Sequence, residues 1–232
     1  MSGIQHKAID FDTRFRLPAH FIVSGATNSG KTTFVLQTLL QAEKMFTPTP
    51  CKVIFFYQEF QSCYLNVQTE LAKKGIRFEC MQASDLSPDN AASFVDNDES
   101  RPVLLIYDDS TQTTANSLNL AQLFQRGRHK GLSIMLLWHN LFPRGKAARD
   151  LSLNATYFIL MPGLRNRSQV KAFASQIGLR HLPAAFERVM NENGGYHHLL
   201  IDLSTACPHA LRVRSNLLAE GERPRYVYVP SV

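Results

Sequence analysis

Cysteine is scarce and scattered in this sequence. Its four cysteines, Cys51, Cys63, Cys80 and Cys207, share no C-x-x-C or histidine-rich ligand spacing, so no zinc site is expected. Free thiols in a reducing compartment are the simplest expectation. No apolar run approaches the roughly 20 residues of a membrane span. Residues Met1 to Lys7 lack the apolar core of a secretory signal, which points to a chain kept in the host cytoplasm or nucleus. There is no internal repeat and no low-complexity tract, which argues against a solenoid or a disordered linker. What remains is ordinary globular material: 232 residues, 44 % hydrophobic and 19 % charged. That is enough for one α/β domain to bury a core without disulfides or structural metal. The net charge of +6 suits a polyanionic partner without establishing one.

The strongest local signal is Gly25-Ala26-Thr27-Asn28-Ser29-Gly30-Lys31-Thr32, which fits G-x-x-x-x-G-K-[ST]. An apolar strand pattern, Phe21-Ile22-Val23, precedes it. A helical pattern, Phe34, Val35, Leu39 and Leu40, follows. Strand, Gly-rich loop and helix are the context in which the loop backbone and the helix N-terminus hold phosphate. A nucleotide is therefore the expected ligand, cradled by Gly25 to Thr32 and by Thr33 in the first helical turn. Lys31 is expected to reach the β- and γ-phosphates, and the Thr32 hydroxyl to hold Mg²⁺.

Buried-strand patterns recur at Val53 to Tyr57, Val103 to Tyr107, Ser133 to Trp138 and Tyr157 to Met161. Helical patterns fall at residues 31–45, 65–74, 118–124, 170–177 and 184–190. Alternation of strands with helices predicts an α/β fold, a mostly parallel sheet with helices on both faces. Residues 1–19 read as an N-terminal arm whose Phe11, Phe15 and Leu17 pack onto the sheet edge. Residues 20–205 read as the P-loop domain, and 206–232 as an extension packing on the core.

In such sheets ligands lie beyond the carboxyl ends of the strands. Three polar motifs are expected to meet there: the P-loop, Asp108 with Asp109, and His139 with Asn140. Asp108, after its apolar strand, suits Mg²⁺ binding. Asp109 is placed to orient or deprotonate water, or else to cap the next turn with Ser110 and Thr111. Glu59 is a reserve base. His139 or Asn140 suits sensing of the γ-phosphate; a plain strand-end turn is the alternative. In the basic turn Gln125 to Gly131, Arg128, then Arg126, are the candidates for an arginine finger supplied to a neighbouring subunit. Two further basic clusters, Arg144/Lys146/Arg149 and Arg165/Arg167/Lys171, suit a nucleic-acid backbone, a neighbouring subunit or plain solvation.

Together these motifs resemble the FtsK–HerA superfamily, and within it the viral packaging ATPases of poxvirus-like, adenovirus-like and polinton-type elements. The resemblance is carried by the P-loop, the strand ending in Asp108-Asp109, and Leu123-Phe124-Gln125-Arg126-Gly127-Arg128-His129. It continues from Ser133 through Lys146, through Arg149 to Tyr157, and on to Arg165-Asn166. It spans roughly residues 20 to 205, and the ending Tyr226 to Pro230 also looks like that branch's tail. The family's sensor is usually Gln followed by Asn, whereas here His139 precedes Asn140. The resemblance implies a P-loop NTPase of the ASCE, RecA-like type and a homo-oligomeric ring of five or six subunits with ATP between them. It implies double-stranded DNA driven into a capsid through a capsid or portal-type partner, and association with the assembling virion. A small-molecule P-loop kinase and a nucleotide-binding scaffold without turnover are the competing readings.

Overall fold

A computed structural model describes residues 11–82, 102–108, 120, 123–124, 127–163, 167–191, 197–218 and 226–229, with only the backbone at 128–129. The apolar runs bounded by turns become strands: β1 (Phe15–Arg16), β2 (His20–Ser24), β3 (Phe46–Thr47), β4 (Lys52–Tyr57), β5 (Arg77–Gln82), β6 (Val103–Tyr107), β7 (Leu132–Trp138), β8 (Tyr157–Leu160), β9 (Leu199–Asp202), β10 (Val213–Ser215) and β11 (Tyr226–Val227). Nine of them form one sheet in the order β11-β10-β9-β8-β2-β7-β6-β4-β5. From β5 to β8 every pairing is parallel; β9, β10 and β11 add on antiparallel. The register sets Ile22 between Leu136 and Phe158, so β2 is the central strand and is wholly buried.

The described helices are α1 (Lys31–Leu40), α2 (Ala42–Met45), α3 (Cys63–Lys73), α4 (Lys146–Asn154), α5 (Arg167–Ile177) and α6 (Leu182–Met190). Alternate strand residues sort into two cores, one per face. Phe21, Val23, Phe55, Ile106 and Leu137 pack with Phe34 and Val35 of α1 and Tyr64 and Val67 of α3. Ile22, Phe56, Leu105, Leu136 and Trp138 pack with Leu151 of α4, Phe173 of α5 and Phe186 of α6. Each of these large side chains contributes about 1.5–3 kcal/mol on burial. No helix among the described residues is long and apolar enough to cross a membrane.

The structure departs from the sequence pattern in three places. The first helix stops at Leu40, because Gln41 (φ −105°, ψ 26°) leaves the helical region before α2 begins. The arm does not join the sheet edge. Its β1 pairs with β3, and Phe15 packs on Phe21, Phe46 and Tyr157 near the middle of the sheet. The segment from Lys146 is a helix, α4, that the sequence pattern did not mark. Its buried contacts are only Ala147, Ala148 and Leu151, too little apolar surface for a periodic signal. Of the helix expected at 118–124, only Leu120, Leu123 and Phe124 lie within the described residues.

Candidate functional site

The carboxyl ends of β2, β7, β6 and β4 share one edge, and the polar motifs sit on it. Gly25 N–H donates to Trp138 O at 3.0 Å, and Met161 N–H to Ser24 O at 2.8 Å. These bonds clamp the start of the loop between the ends of β7 and β8. A Cβ on Gly25 would stand 2.5 Å from Ser29 Oγ and 2.6 Å from Met161 Cβ. The position therefore needs glycine for close approach. Asn28 (φ 62°) and Gly30 (φ 89°) are left-handed, the conformation that glycine takes freely and asparagine tolerates.

Gly30 is the N-cap of α1, and no side chain caps that helix. Its carbonyl accepts the first helical bond, from Phe34 N–H at 2.8 Å. The N–H groups of Lys31, Thr32 and Thr33 precede that bond and belong to the orphan donors of a helix start, which suit an anion. Ala26, Thr27, Asn28 and Thr33 are exposed, and Ser29 and Gly30 are half-buried. The Lys31 ammonium is buried in the curl of the loop, donating to Gly25 O at 2.8 Å and Ala26 O at 3.0 Å.

Thr32 Oγ1 donates to Asp108 Oδ2 at 2.9 Å. Asp108 follows β6, and its N–H donates to Phe56 O at 2.9 Å, so β4 steadies the turn that carries it. Two hard oxygens at this separation fit adjacent positions around an octahedral cation with ligands at about 2.1 Å. Among the described residues no group of three or more His, Cys, Asp or Glu could hold a metal. A cation at Thr32 and Asp108 would therefore complete its shell with phosphate oxygens and water, the usual state of Mg²⁺. Tyr64 of α3, buried, is a neighbour that the sequence did not reveal. Burial pushes its hydroxyl pKa up, and the nearby Asp108 carboxylate adds to the shift, so Tyr64 stays neutral beside that charge.

His139 and Asn140 follow β7, which lies between the strands of the P-loop and of Asp108. Both are half-buried, and Asn140 Oδ1 is buried without a hydrogen-bond partner among the described residues. Glu59 stands exposed on the same edge, just past β4. Asp109 and Arg126 lie outside the described residues, as does Arg165. The backbone of Arg128 lies at the opposite edge of the sheet from the site on its own chain. It is in the turn Gly127–Lys130, which leads into the amino end of β7. Val103 N–H, at the start of β6, bonds Gly131 O there. Asp108 is a strand length away, about 16 Å at ~3.3 Å per residue. Of the other basic residues, Arg167 pairs with Glu187 at 2.7 Å. Trp138, Met161 and Tyr64 reach the site through pairing and packing across the sheet, for which no local signal exists in the sequence.

A phosphate loop between a buried parallel strand and a helix, with its threonine against a carboxylate on the next strand but one, defines a P-loop NTPase. The sequence model of the family described as Poxvirus A32 protein matches residues 8–159. This is well over half of the chain, and the chain belongs to that family. The resemblance to the viral packaging branch is thereby upheld. Among curated proteins no sequence matches significantly. Solved structures with similar folds include the genome packaging NTPase B204 from Sulfolobus turreted icosahedral virus 2. In complex with AMPPCP it matches at 13 % identity and TM-score 0.56, over 85 % of this chain and 96 % of that one. In complex with ATP-gammaS it matches at 14 % identity and TM-score 0.53, over 85 % and 95 %.

Proposed function

We propose that this chain is an ATP-driven translocase of double-stranded DNA that moves a viral or mobile-element genome into a capsid. The observation that carries the reading is the Thr32–Asp108 contact beside the loop-held Lys31, in a chain of the poxvirus A32 family. ATP binds with its phosphates in the loop Gly25 to Thr33, on backbone N–H groups that include the orphan donors of Lys31, Thr32 and Thr33. Lys31 exchanges its loop carbonyls for the β- and γ-phosphates. Thr32 and Asp108 hold Mg²⁺, directly or through water; when bound, the ion offsets phosphate charge. Asp109 orients the attacking water and takes its proton, with Glu59 in reserve on the same edge. The γ-phosphate is read by His139 or Asn140, and the unpartnered Asn140 Oδ1 favours Asn140, since an amide oxygen can accept from that water.

Arg128, or Arg126, stabilises charge at the site of a neighbouring subunit. The support is the strand length between its turn and its own Asp108. Function in trans requires a ring, here of five or six copies, docked on a capsid or portal-type protein at the site of virion assembly.

Steady-state ATP hydrolysis by the purified chain, with and without double-stranded DNA and beside Lys31→Ala, tests the reading. DNA-stimulated turnover that vanishes in the variant is expected. Turnover indifferent to DNA would favour kinase-like chemistry or a motor that needs its capsid. ATP binding without turnover in either condition would sink the motor reading and favour a scaffold.

A further inference from the structure

The segment after the sensor pair carries a charge pattern that catalysis leaves unexplained. Residues 139–145 run from the end of β7 into α4. Leu141 is buried, and its N–H donates to Gln169 Oε1 of α5 at 2.9 Å. Phe142 packs edge-on against Phe173, with ring centroids 6.2 Å apart. At the far end Ala147, Ala148 and Leu151 seat α4 in the core. Both ends of the segment are thus anchored, and its outward side chains are held on a rigid base.

Arg144 in this segment and Lys146 and Arg149 on α4 are all exposed. No carboxylate among the described residues pairs with any of them. Elsewhere on the described surface some cations have such partners, Arg14 with Asp12, Lys73 with Glu70, Arg77 with Glu79 and Arg167 with Glu187, while others, such as Lys44, Lys171 and Arg180, have none among the described residues. The local helix makes the imbalance worse. α4 begins at Lys146, has no acid in its first turn, and its N-cap Gly145 brings no side-chain cap. Lys146 and Arg149 lie three apart on one helical face, so like charges adjoin each other and the positive helix end, and Asp150, four after Lys146, is the single acid of α4. The net positive charge suits an external polyanion. The exposed arginine forks match phosphate geometry.

We propose that Arg144, Lys146 and Arg149 grip the phosphate backbone of double-stranded DNA, and that residues 139–145 tie this grip to the nucleotide. The proposal rests on the translocase reading above and names where the DNA is held. His139 and Asn140 sit at the ATP edge, and Arg144 follows four residues after Asn140 with Leu141 pinned between them. A change at the γ-phosphate therefore has a short, anchored path to the DNA-holding cations.

The test compares wild type with the triple variant Arg144→Ala/Lys146→Ala/Arg149→Ala. A charge-matched control, Lys44→Ala/Lys73→Ala/Lys74→Ala, removes three exposed lysines from the opposite edge of the sheet. Duplex affinity is measured against salt concentration, together with basal and DNA-stimulated ATP turnover. Each phosphate contact contributes about 0.9 to the salt slope, so the triple variant is expected to lose about 2.7 from it. It should also lose DNA stimulation while keeping wild-type basal turnover, and the control should keep all three. A stimulated wild type with an unaltered slope and stimulation in the triple variant overturns the inference and leaves the translocase reading intact. Loss of basal turnover with duplex binding intact also overturns it, and assigns the cations to a neighbouring subunit. A wild type that neither binds duplex nor responds to it removes both readings. Should the triple variant fail to fold, Arg144→Gln, in the exposed loop, carries the same test with an expected slope change of about 0.9.

Discussion

Lys31 donates two hydrogen bonds inside the loop, to Gly25 O and Ala26 O, and its charge is what a phosphate would meet there. Lys31→Ala removes that charge without touching the core, so turnover is expected to fall on the order of 10²–10³-fold with the fold retained. Comparing steady-state hydrolysis with urea unfolding checks both halves. Gly25→Ala is expected to act differently. Its Cβ collides with Ser29 Oγ and Met161 Cβ, which displaces the loop and the end of β8 together. A stability cost of about 1–3 kcal/mol should accompany weaker ATP binding; unchanged affinity by calorimetry would contradict the clamp. Residues 25–32 were legible as a phosphate loop because the chemistry is local. The need for glycine at 25, as opposed to a merely flexible turn, was not legible, since Met161 arrives from 136 positions later.

At the scale of elements, the sheet is extended on one side by β9, β10 and β11, and a buried ion pair locks β9 to β10. Arg214 Nη2 meets Asp202 Oδ2 at 2.9 Å, with both side chains almost fully buried. Asp202 Oδ1 also accepts from Ser204 N–H and Oγ–H. Arg214 Nε and Nη1 have no hydrogen-bond partner among the described residues, although the guanidinium lies 5.9 Å from the Phe11 ring centroid. Removing the carboxylate strands that charge, so Asp202→Ala is expected to cost about 3–5 kcal/mol. The check is a lowered urea midpoint at an unchanged m-value. This lock was invisible in the sequence. Antiparallel pairing of β9 with β10 is what brings positions 202 and 214 together. The parallel strands were easier, because burial on both faces writes a continuous apolar run. Helix α4 was missed because alanines fill most of its buried face.

For the whole molecule, the strand length between the Arg128 turn and Asp108 makes a solitary subunit incomplete in the proposed mechanism. Arg128→Ala is expected to lower turnover by about 10³–10⁵-fold while ATP binding survives. Mixing it with Lys31→Ala should restore part of the activity, because some interfaces then combine an intact loop with an intact finger. No recovery in any mixing ratio would exclude action in trans. Alkaline stability is a second global property. Burial pushes Tyr157 up to about 12 and Cys207 up to about 12, and it raises Tyr107 as well. These groups stay protonated in the fold while the unfolded chain ionises near their ordinary values of 9.0 for Cys207 and 10.0 for the tyrosines. Their stabilising contribution is complete below pH 9 and is lost as pH rises to about 12. Urea midpoints should fall across that window, with tyrosinate absorbance rising together with unfolding.

The sequence by itself determined the phosphate loop, the apolar strands with Asp108 and His139-Asn140 at their ends, and membership of a viral packaging family. Each depends on residues close together in the chain, where loop geometry, strand burial and helix capping act over a few positions. Only the tertiary structure decided that Thr32 meets Asp108, that Tyr64 stands beside that carboxylate, and that Asp202 locks Arg214. It also decided that the Arg128 turn faces away from its own ATP edge. Those facts arise from strand order and register, and register is a balance of packing over both faces of the sheet, which no short stretch of sequence contains.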